Sequence, residues 1–466
     1  MIKSQRTGFR KGAGFFTVMI MICLTLFFTP SFQVTAADRL QDVGEKVVIV
    51  IDPGHGGDNS GTIENGHEEK TMTMITAQAM YEELLLYDDV EVYLTRTDDR
   101  DSTRKERAEF ALSVDADFLF SIHYNASENH ESFGAEVWVS AFAPFNSYGY
   151  QFGYEILTDL RKSGLLVRGV KTRLDDEGNN YYGIILYPDN MGIPSAIIEH
   201  CHVDEARDEG YCDSEEKLKN FGRMDATAVA RYFGLKSTVL GVDYSGYSLA
   251  DVQSDSAVPV TLQDATPPDI CQIEPVAIDY ATGLLSLTVT AVDYDSPLLY
   301  YSYSLDAGQS FSRREAWPQS DPLTGSYTDT FTLNLTIPSD TTPTVILRAY
   351  NMHDLYTDSE AYISPLAFHY QPPEDAVETM GFAETEEDVR EDEKEDSDTK
   401  THSKDETVED RTPGEVSFLT FLEICLAVVF VLFLALIVSQ AISRSRLKRQ
   451  RHQRRKESGR NKNQHR

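Results

Sequence analysis

The first strong pattern along the chain is Val47-Val48-Ile49-Val50-Ile51. A continuous β-branched run of this kind predicts a strand buried on both faces. Residues 71–86 then place Met74, Ile75, Ala79, Leu84 and Leu85 at helical spacing, which predicts a helix. Strands are predicted at 90–94, 117–123, 137–139 and 195–199, with helices at 103–114, near 149–161 and near 218–233. Strand and helix in turn predict an α/β domain over 46–236, a layered sheet with flanking helices.

The period changes further on. Residues 237–265 are rich in Ser, Gly and Asp and read as a linker. Over 266–370, apolar and polar positions alternate in short runs at 284–292, 298–305, 329–337 and 344–350, separated by turn clusters such as Asp306-Ala307-Gly308. This predicts a small all-β, Ig-like sandwich. Residues 371–415 are dense in Glu, Asp, Lys and Thr and poor in aromatics. Such a segment buries too little apolar surface to order itself, and it reads as an extended acidic stalk.

The two ends carry their own hydrophobic runs. Lys3, Arg6, Arg10 and Lys11 precede an apolar stretch from Phe15 to Phe28, followed by small residues up to Ala37. This reads as a secretory signal over 1–37; the alternative is an uncleaved anchor, for which the run is short of the ~20 apolar residues of a span. Residues 418–442 hold one charge, Glu423, and are followed by Arg444, Arg446, Lys448 and Arg449. A single transmembrane helix with its basic tail, 443–466, on the cytoplasmic side follows. The expected localisation is therefore the cell membrane, single-pass, with the body extracytoplasmic.

Composition sharpens this picture in two ways. The chain carries 42 Lys+Arg against 75 Asp+Glu, a net charge of -33. Nucleic-acid binders show a basic footprint, so that class is disfavoured, and the basic tail is explained by anionic lipid. Of five cysteines, Cys201, Cys212 and Cys271 fall in the extracytoplasmic part. An odd number gives no disulfide framework, although a Cys201–Cys212 bridge is conceivable. Nothing in the sequence speaks to oligomeric state.

Chemistry concentrates at predicted strand ends. Asp52-Pro53-Gly54-His55-Gly56-Gly57 leaves the first strand, Glu68-Glu69-Lys70 opens a helix, Ser121-Ile122-His123 ends another strand, and Ile197-Ile198-Glu199 a further one. Two histidines and one carboxylate on separate elements are the ligand set of a catalytic zinc with one open position. A glutamate beside them fits a general acid/base. The residues alone leave turn and core histidines as an equal reading of His55 and His123.

The motifs IDPGHGG, EEK, TRTDD, RKERAEFA, DADFLFSIHYNAS and AIIEH, in this order over about 46–235, resemble zinc-dependent N-acetylmuramoyl-L-alanine amidases of the amidase 3 type. The resemblance implies Zn²⁺ held by His55, Glu69 and His123, with Glu199 as catalytic acid/base. Glu69 is preferred over Glu68 because it directly precedes Lys70. The implied reaction is hydrolysis of the amide between N-acetylmuramic acid and L-alanine of the peptidoglycan stem. Arg96 and Arg107 match family positions and read as structural. His200-Cys201-His202 departs from the family pattern; either histidine touches substrate, tunes Glu199 or simply packs. Tyr124 replaces a commonly small residue and is expected to narrow the cleft, while the aromatics from Phe142 to Tyr154 read as core. Two other readings stand beside the main one: a decayed wall-binding or regulatory protein, and a zinc peptidase acting within the stem.

Overall fold

The computed structural model describes residues 46–250 and 258–371. The expected leader, stalk, span and tail lie outside the described residues. Among the described residues, no helix is long and apolar enough to cross a membrane.

The α/β part is built on one six-stranded sheet. Its strands are β1 (Val47–Pro53), β4 (Val90–Leu94), β5 (Phe118–Asn125), β6 (Ala135–Val139), β7 (Val167–Lys171) and β8 (Ser195–His202), in the order β4-β1-β5-β8-β6-β7. A two-stranded hairpin, β2 (Ile63–Glu64) with β3 (His67–Glu68), stands apart from it. β4, β1, β5 and β8 are parallel; β6 runs antiparallel to β8 and parallel to β7. The predicted β-branched run of β1 lies at the sheet's interior, with Val47, Ile49, Val50 and Ile51 fully buried.

Helices cover both faces. α1 (Glu69–Leu84), α3 (Phe145–Lys162) and α6 (Glu215–Phe233) pack on one side with Phe118, Phe120 and Phe152, where the Phe120 ring sits 4.3 Å from Phe118 and 4.5 Å from Phe152. Each such buried ring contributes roughly 1.5–3 kcal/mol relative to exposure. α2 (Arg104–Ser113) and α4 (Gly183–Asn190) cover the other side over Val50, Leu119 and Ile197. Thr103 starts α2 through a capping box with Glu106, which satisfies two otherwise free amides. A short α5 (Ala206–Cys212) links β8 to α6.

The sequence reading missed β7, α4 and α5. β7 reads Val-Arg-Gly-Val-Lys, and two cations hide its apolar character. α4 begins at a glycine and contains Pro188, both helix breakers. The segment expected as a linker is only partly one. It forms a hairpin of β9 (Lys236–Ser237) and β10 (Val242–Asp243), buries Leu249, and ties Thr261 to the backbone of Ala141 and the side chain of Asn146. The Cys201–Cys212 bridge does not form: both are buried free thiols.

An all-β region follows. β13 (Leu298–Ser304), β14 (Glu315–Ala316), β16 (Thr344–Asn351) and β17 (Tyr356–Asp358) form one sheet, joined by β18 (Tyr362–Ile363), and β11 (Ile270–Asp279), β12 (Leu284–Val292) and β15 (Thr330–Thr336) form another. The described chain clusters as two compact units. The first holds the α/β part together with 288–333 and 344–362. Within it, Phe133 and Leu166 share an apolar core with Leu299, Tyr300 and Tyr350. The second holds 275–287, 334–343 and 363 onward, where Tyr280 packs on Phe368 at 4.8 Å and Tyr370 donates to the Ile337 carbonyl.

Candidate active site

The C-terminal end of β1 turns sharply after Pro53. His55 sits at φ 62°, a left-handed conformation uncommon for a residue with a side chain. Two buried arginines hold this turn. Arg107 donates to the carbonyls of Pro53 (2.8 Å) and His55 (2.7 Å) and pairs with Asp52 (2.7 Å). Arg96 donates to the carbonyls of Pro53, Gly54 and Lys70. The structural reading of both arginines thus becomes specific, since together they fix the loop that carries the first histidine.

Three side chains converge on one point. Glu69 Oε1 lies 3.1 Å from His55 Nε2 and 3.0 Å from His123 Nδ1, and the three donors lie within 4.8 Å of one another. Glu69, the first residue of α1, also accepts from the amides of Thr62 (2.9 Å) and Tyr124 (3.1 Å). Glu68 points elsewhere, toward Lys70 and Thr71. Two glycines make room for the ligand rings: a Cβ at Gly54 would meet the His123 ring at 2.4 Å, and one at Gly61 would meet Glu69 Oε2 at 2.5 Å.

The donor set fits a zinc ion. Donors held ~2.1 Å from a tetrahedral metal stand roughly 3.4 Å apart; two spacings here are 3.0 and 3.1 Å and all three donors lie within 4.8 Å, so metal binding needs only modest side-chain shifts. His55 Nδ1 meets Asn59 Oδ1 at 3.0 Å, an outer contact that fixes the ring and its tautomer. Charge is balanced within the cluster. Burial opposes ionisation of Glu69, but hydrogen bonds from His123 and His55 outweigh it and hold this carboxyl well below the usual range. Burial likewise opposes the charged form of His55, and Glu69 overrides it, raising its pKa.

The strands set the next residue beside this cluster. His123 of β5 and Glu199 of β8 are register partners, and Glu199 is in turn paired with Glu136 of β6. Side chains of directly paired residues share a face of the sheet, so His123, Glu199 and Glu136 form a row across three adjacent strands. Glu199 Oε2 is buried without a hydrogen-bond partner among the described residues. Burial, then the charges of Glu69 and Glu136, push its pKa well above the ordinary carboxylate value.

The alternating strand period sends the neighbours the other way. Tyr124 is buried, with its hydroxyl 2.6 Å from Thr76 Oγ1 and its ring 5.3 Å from that of His200. It therefore fills the side of the sheet covered by α1, α3 and α6 and does not narrow the cleft. His200 is fully buried, 3.0 Å from Asp225, and His202 meets the Gly134 carbonyl at 3.1 Å. Both histidines are packing residues. His67 sits on β3, outside the cluster. Of the aromatics from Phe142 to Tyr154, Phe152 is core, and Tyr148 and Tyr150 pack against that core.

Sequence reasoning missed Glu136. It accepts four hydrogen bonds: from Asn125 (2.9 Å) and Trp138 (3.0 Å) on Oε1, and from Arg168 (2.8 Å) and Lys171 (2.7 Å) on Oε2. Arg168 continues to Tyr300 (2.7 Å) and Asp354 (2.5 Å) of the all-β region. The signal was an acid inside the apolar run Ala-Glu-Val-Trp-Val, where a charge needs partners.

The α/β part is similar in sequence to known amidases. The N-acetylmuramoyl-L-alanine amidase family, amidase 3 type, matches residues 49–231. The amidase CwlM of Bacillus licheniformis is 33% identical over 192 residues, covering 41% of this chain and 70% of that protein. The sporulation-specific amidase of Bacillus subtilis is 28% identical over 193 residues, again covering 41% and 70%. The solved catalytic domain of CwlV, an amidase from Bacillus (Paenibacillus) polymyxa, is 24% identical with a TM-score of 0.36 and covers 41% of this chain and 99% of that one. By its motifs and by its sequence likeness to CwlM, the chain belongs to the N-acetylmuramoyl-L-alanine amidase family.

Proposed function

We propose that this peptidoglycan amidase works as a zinc hydrolase, with His55, Glu69 and His123 as ligands and Glu199 as the proton-transfer group. The observation that carries the reading is the convergence of three donors from three elements, with Glu199 on the next strand. Bound there, Zn²⁺ supplies Lewis-acid polarisation of the amide carbonyl and acidifies the attacking water. Glu199 takes a proton from that water and returns it to the leaving nitrogen of L-alanine. A carboxyl whose pKa is raised by burial is a stronger proton acceptor than a solvated one, which suits the first of these two transfers. Glu69 keeps its charge and orients both histidines. Asp52, Arg96 and Arg107 hold the His55 loop from below.

In this reading the all-β region is an Ig-like sandwich. The chain is held on the outer face of the cell membrane by the apolar run 418–442, with the enzyme facing the wall. The intact set of His55, Glu69, His123 and Glu199 favours an active enzyme over a decayed binding protein.

Metal analysis and digestion of muropeptides test the reading together. The purified protein is expected to hold one zinc per chain and to free stem peptides with an L-alanine amino terminus. Chelation should abolish release, and zinc should restore it. Products cut inside the stem would favour the peptidase reading, and a protein that binds no zinc would remove the proposed chemistry.

A further inference from the structure

A hairpin that continues from β7, separated from the Glu199 strand by β6, displays an unusual pair of side chains. Leu174 and Asn180 form a β-bridge, the Tyr181 amide donates to the Arg173 carbonyl (2.9 Å), and the Asp175 amide donates to that of Asn179 (2.8 Å). Arg173 and Tyr181 therefore face each other across the hairpin, with the guanidinium carbon 3.8 Å from the Tyr181 ring centroid. The base is pinned. Asn180 is buried, accepts from the Ala141 amide (2.9 Å) and donates to Asp189 (2.8 Å). The pair is thus set in place before any ligand arrives.

This pair connects to the catalytic row by touching side chains. Tyr181 packs edge-on against Tyr182 at 5.1 Å, and Tyr182 lies 5.1 Å from Trp138. Trp138 donates to Glu136, the strand partner of Glu199. Burial raises the Tyr182 pKa, with the charges of Glu136 and Glu199 adding to the rise, while a hydrogen bond from Arg173 opposes it. Arg173 is exposed and has no carboxylate within ion-pair distance among the described residues, and Tyr181 is 49% exposed. Asp175, its nearest acid in sequence, accepts from the Asn179 amide instead. In a chain of net charge -33, an anionic group approaching Glu199 and Glu136 meets repulsion. A preset guanidinium, linked to that row through Tyr182 and Trp138, offers a positive counterweight, and its planar fork suits a carboxylate.

We infer that Arg173, stacked on Tyr181, binds a free carboxylate of the stem peptide. The assignment rests on the amidase reading and adds a specificity residue to it. The rival account is a cation–π contact that only staples the hairpin.

The test compares two muropeptides that differ only in whether the carboxyl nearest the scissile amide is free or amidated. The zinc-loaded full chain is expected to have the lower KM on the free acid. Arg173→Met should raise KM on the acid on the order of tenfold, the loss of one charge-assisted bond, while leaving KM on the amide and both kcat values within about twofold. Arg173→Lys, which keeps the charge without the fork, should fall between. Equal losses on both substrates would support the staple and overturn the assignment, as would a wild type that treats the two alike. A wild type inactive on both would overturn the amidase reading, and this assignment with it. Unchanged melting and zinc content in Arg173→Met are expected, since the side chain is exposed.

Discussion

Glu136 and Glu199 face each other across two paired strands, and their surroundings make opposite use of the same side chain. Glu136 is 3% exposed, and each of its oxygens accepts two hydrogen bonds. Glu199 keeps one oxygen buried without a partner among the described residues. Burial alone pushes both carboxyls toward the protonated form. For Glu136, the charges of Lys171 and Arg168 outweigh burial and hold it ionised, far below the usual range. For Glu199, the neighbours are Glu69 and Glu136, so charge adds to burial. Donor count, more than depth, separates a fixed anion from a group that is able to exchange a proton. Paired carboxyls driven apart in this way mark acid/base sites.

The largest effect is expected where the free oxygen is removed from proton transfer. Glu199→Gln should lower kcat by roughly 10²- to 10⁴-fold, the range for a lost general acid/base. KM and zinc content should hold, because Glu199 is outside the three-donor cluster. A variant that kept more than about a tenth of kcat on muropeptides would show that the two carboxyls do not differ in role.

Much of this arrangement was legible in the sequence, for physical reasons that also explain the gaps. Strands with continuous apolar runs, such as β1 and β5, declare themselves because both faces are buried. Residues at strand ends, His55, His123 and Glu199, stand out because polar groups there border apolar runs. Glu69 was chosen over Glu68 by its place before Lys70, and the start of α1 brings that residue to the histidines. Alternation along β5 and β8 sends Tyr124 and His200 into the core, against the expected narrowing of the cleft by Tyr124 and in favour of packing among the readings open for His200. The network of Glu136, Arg168, Lys171 and Asp354 was not legible. Its members are 186 residues apart at the bonded pair Arg168–Asp354, and a cation inside a strand reads as polar surface until its partner is known.

Breaking the fixed anion should damage the fold more than the chemistry. Glu136→Gln keeps the shape but leaves Arg168 and Lys171 buried with only Asp354 as counter-charge. Removing one partner of a buried ion pair typically costs about 3–5 kcal/mol. Denaturant unfolding should show a loss of that order at pH 7. A loss under about 1 kcal/mol would mean that the four donors do not depend on the charge, and the contrast with Glu199 would rest on burial alone.

The smallest effect tests how far the fixed region extends. Asp354 lies in the all-β region, yet it meets Arg168 at 2.5 Å and Arg314 at 2.6 Å. Burial raises its pKa, but the charges of Arg168, Lys171 and Arg314 more than offset this and leave it below the ordinary value. Its side chain is 34% exposed, so solvent screens part of the interaction, and Asp354→Asn should cost about 1–2 kcal/mol. The sign of the pH dependence follows from the depressed pKa. The stabilisation is fully present above the unfolded value near ~3.9 and is lost as pH falls through the lower folded value. Wild type and variant should therefore differ by a constant amount between about pH 6 and 8, and the gap should close below about pH 4. A gap that persists unchanged into acid would assign the loss to packing, and would confine the fixed anion to the sheet that holds Glu136.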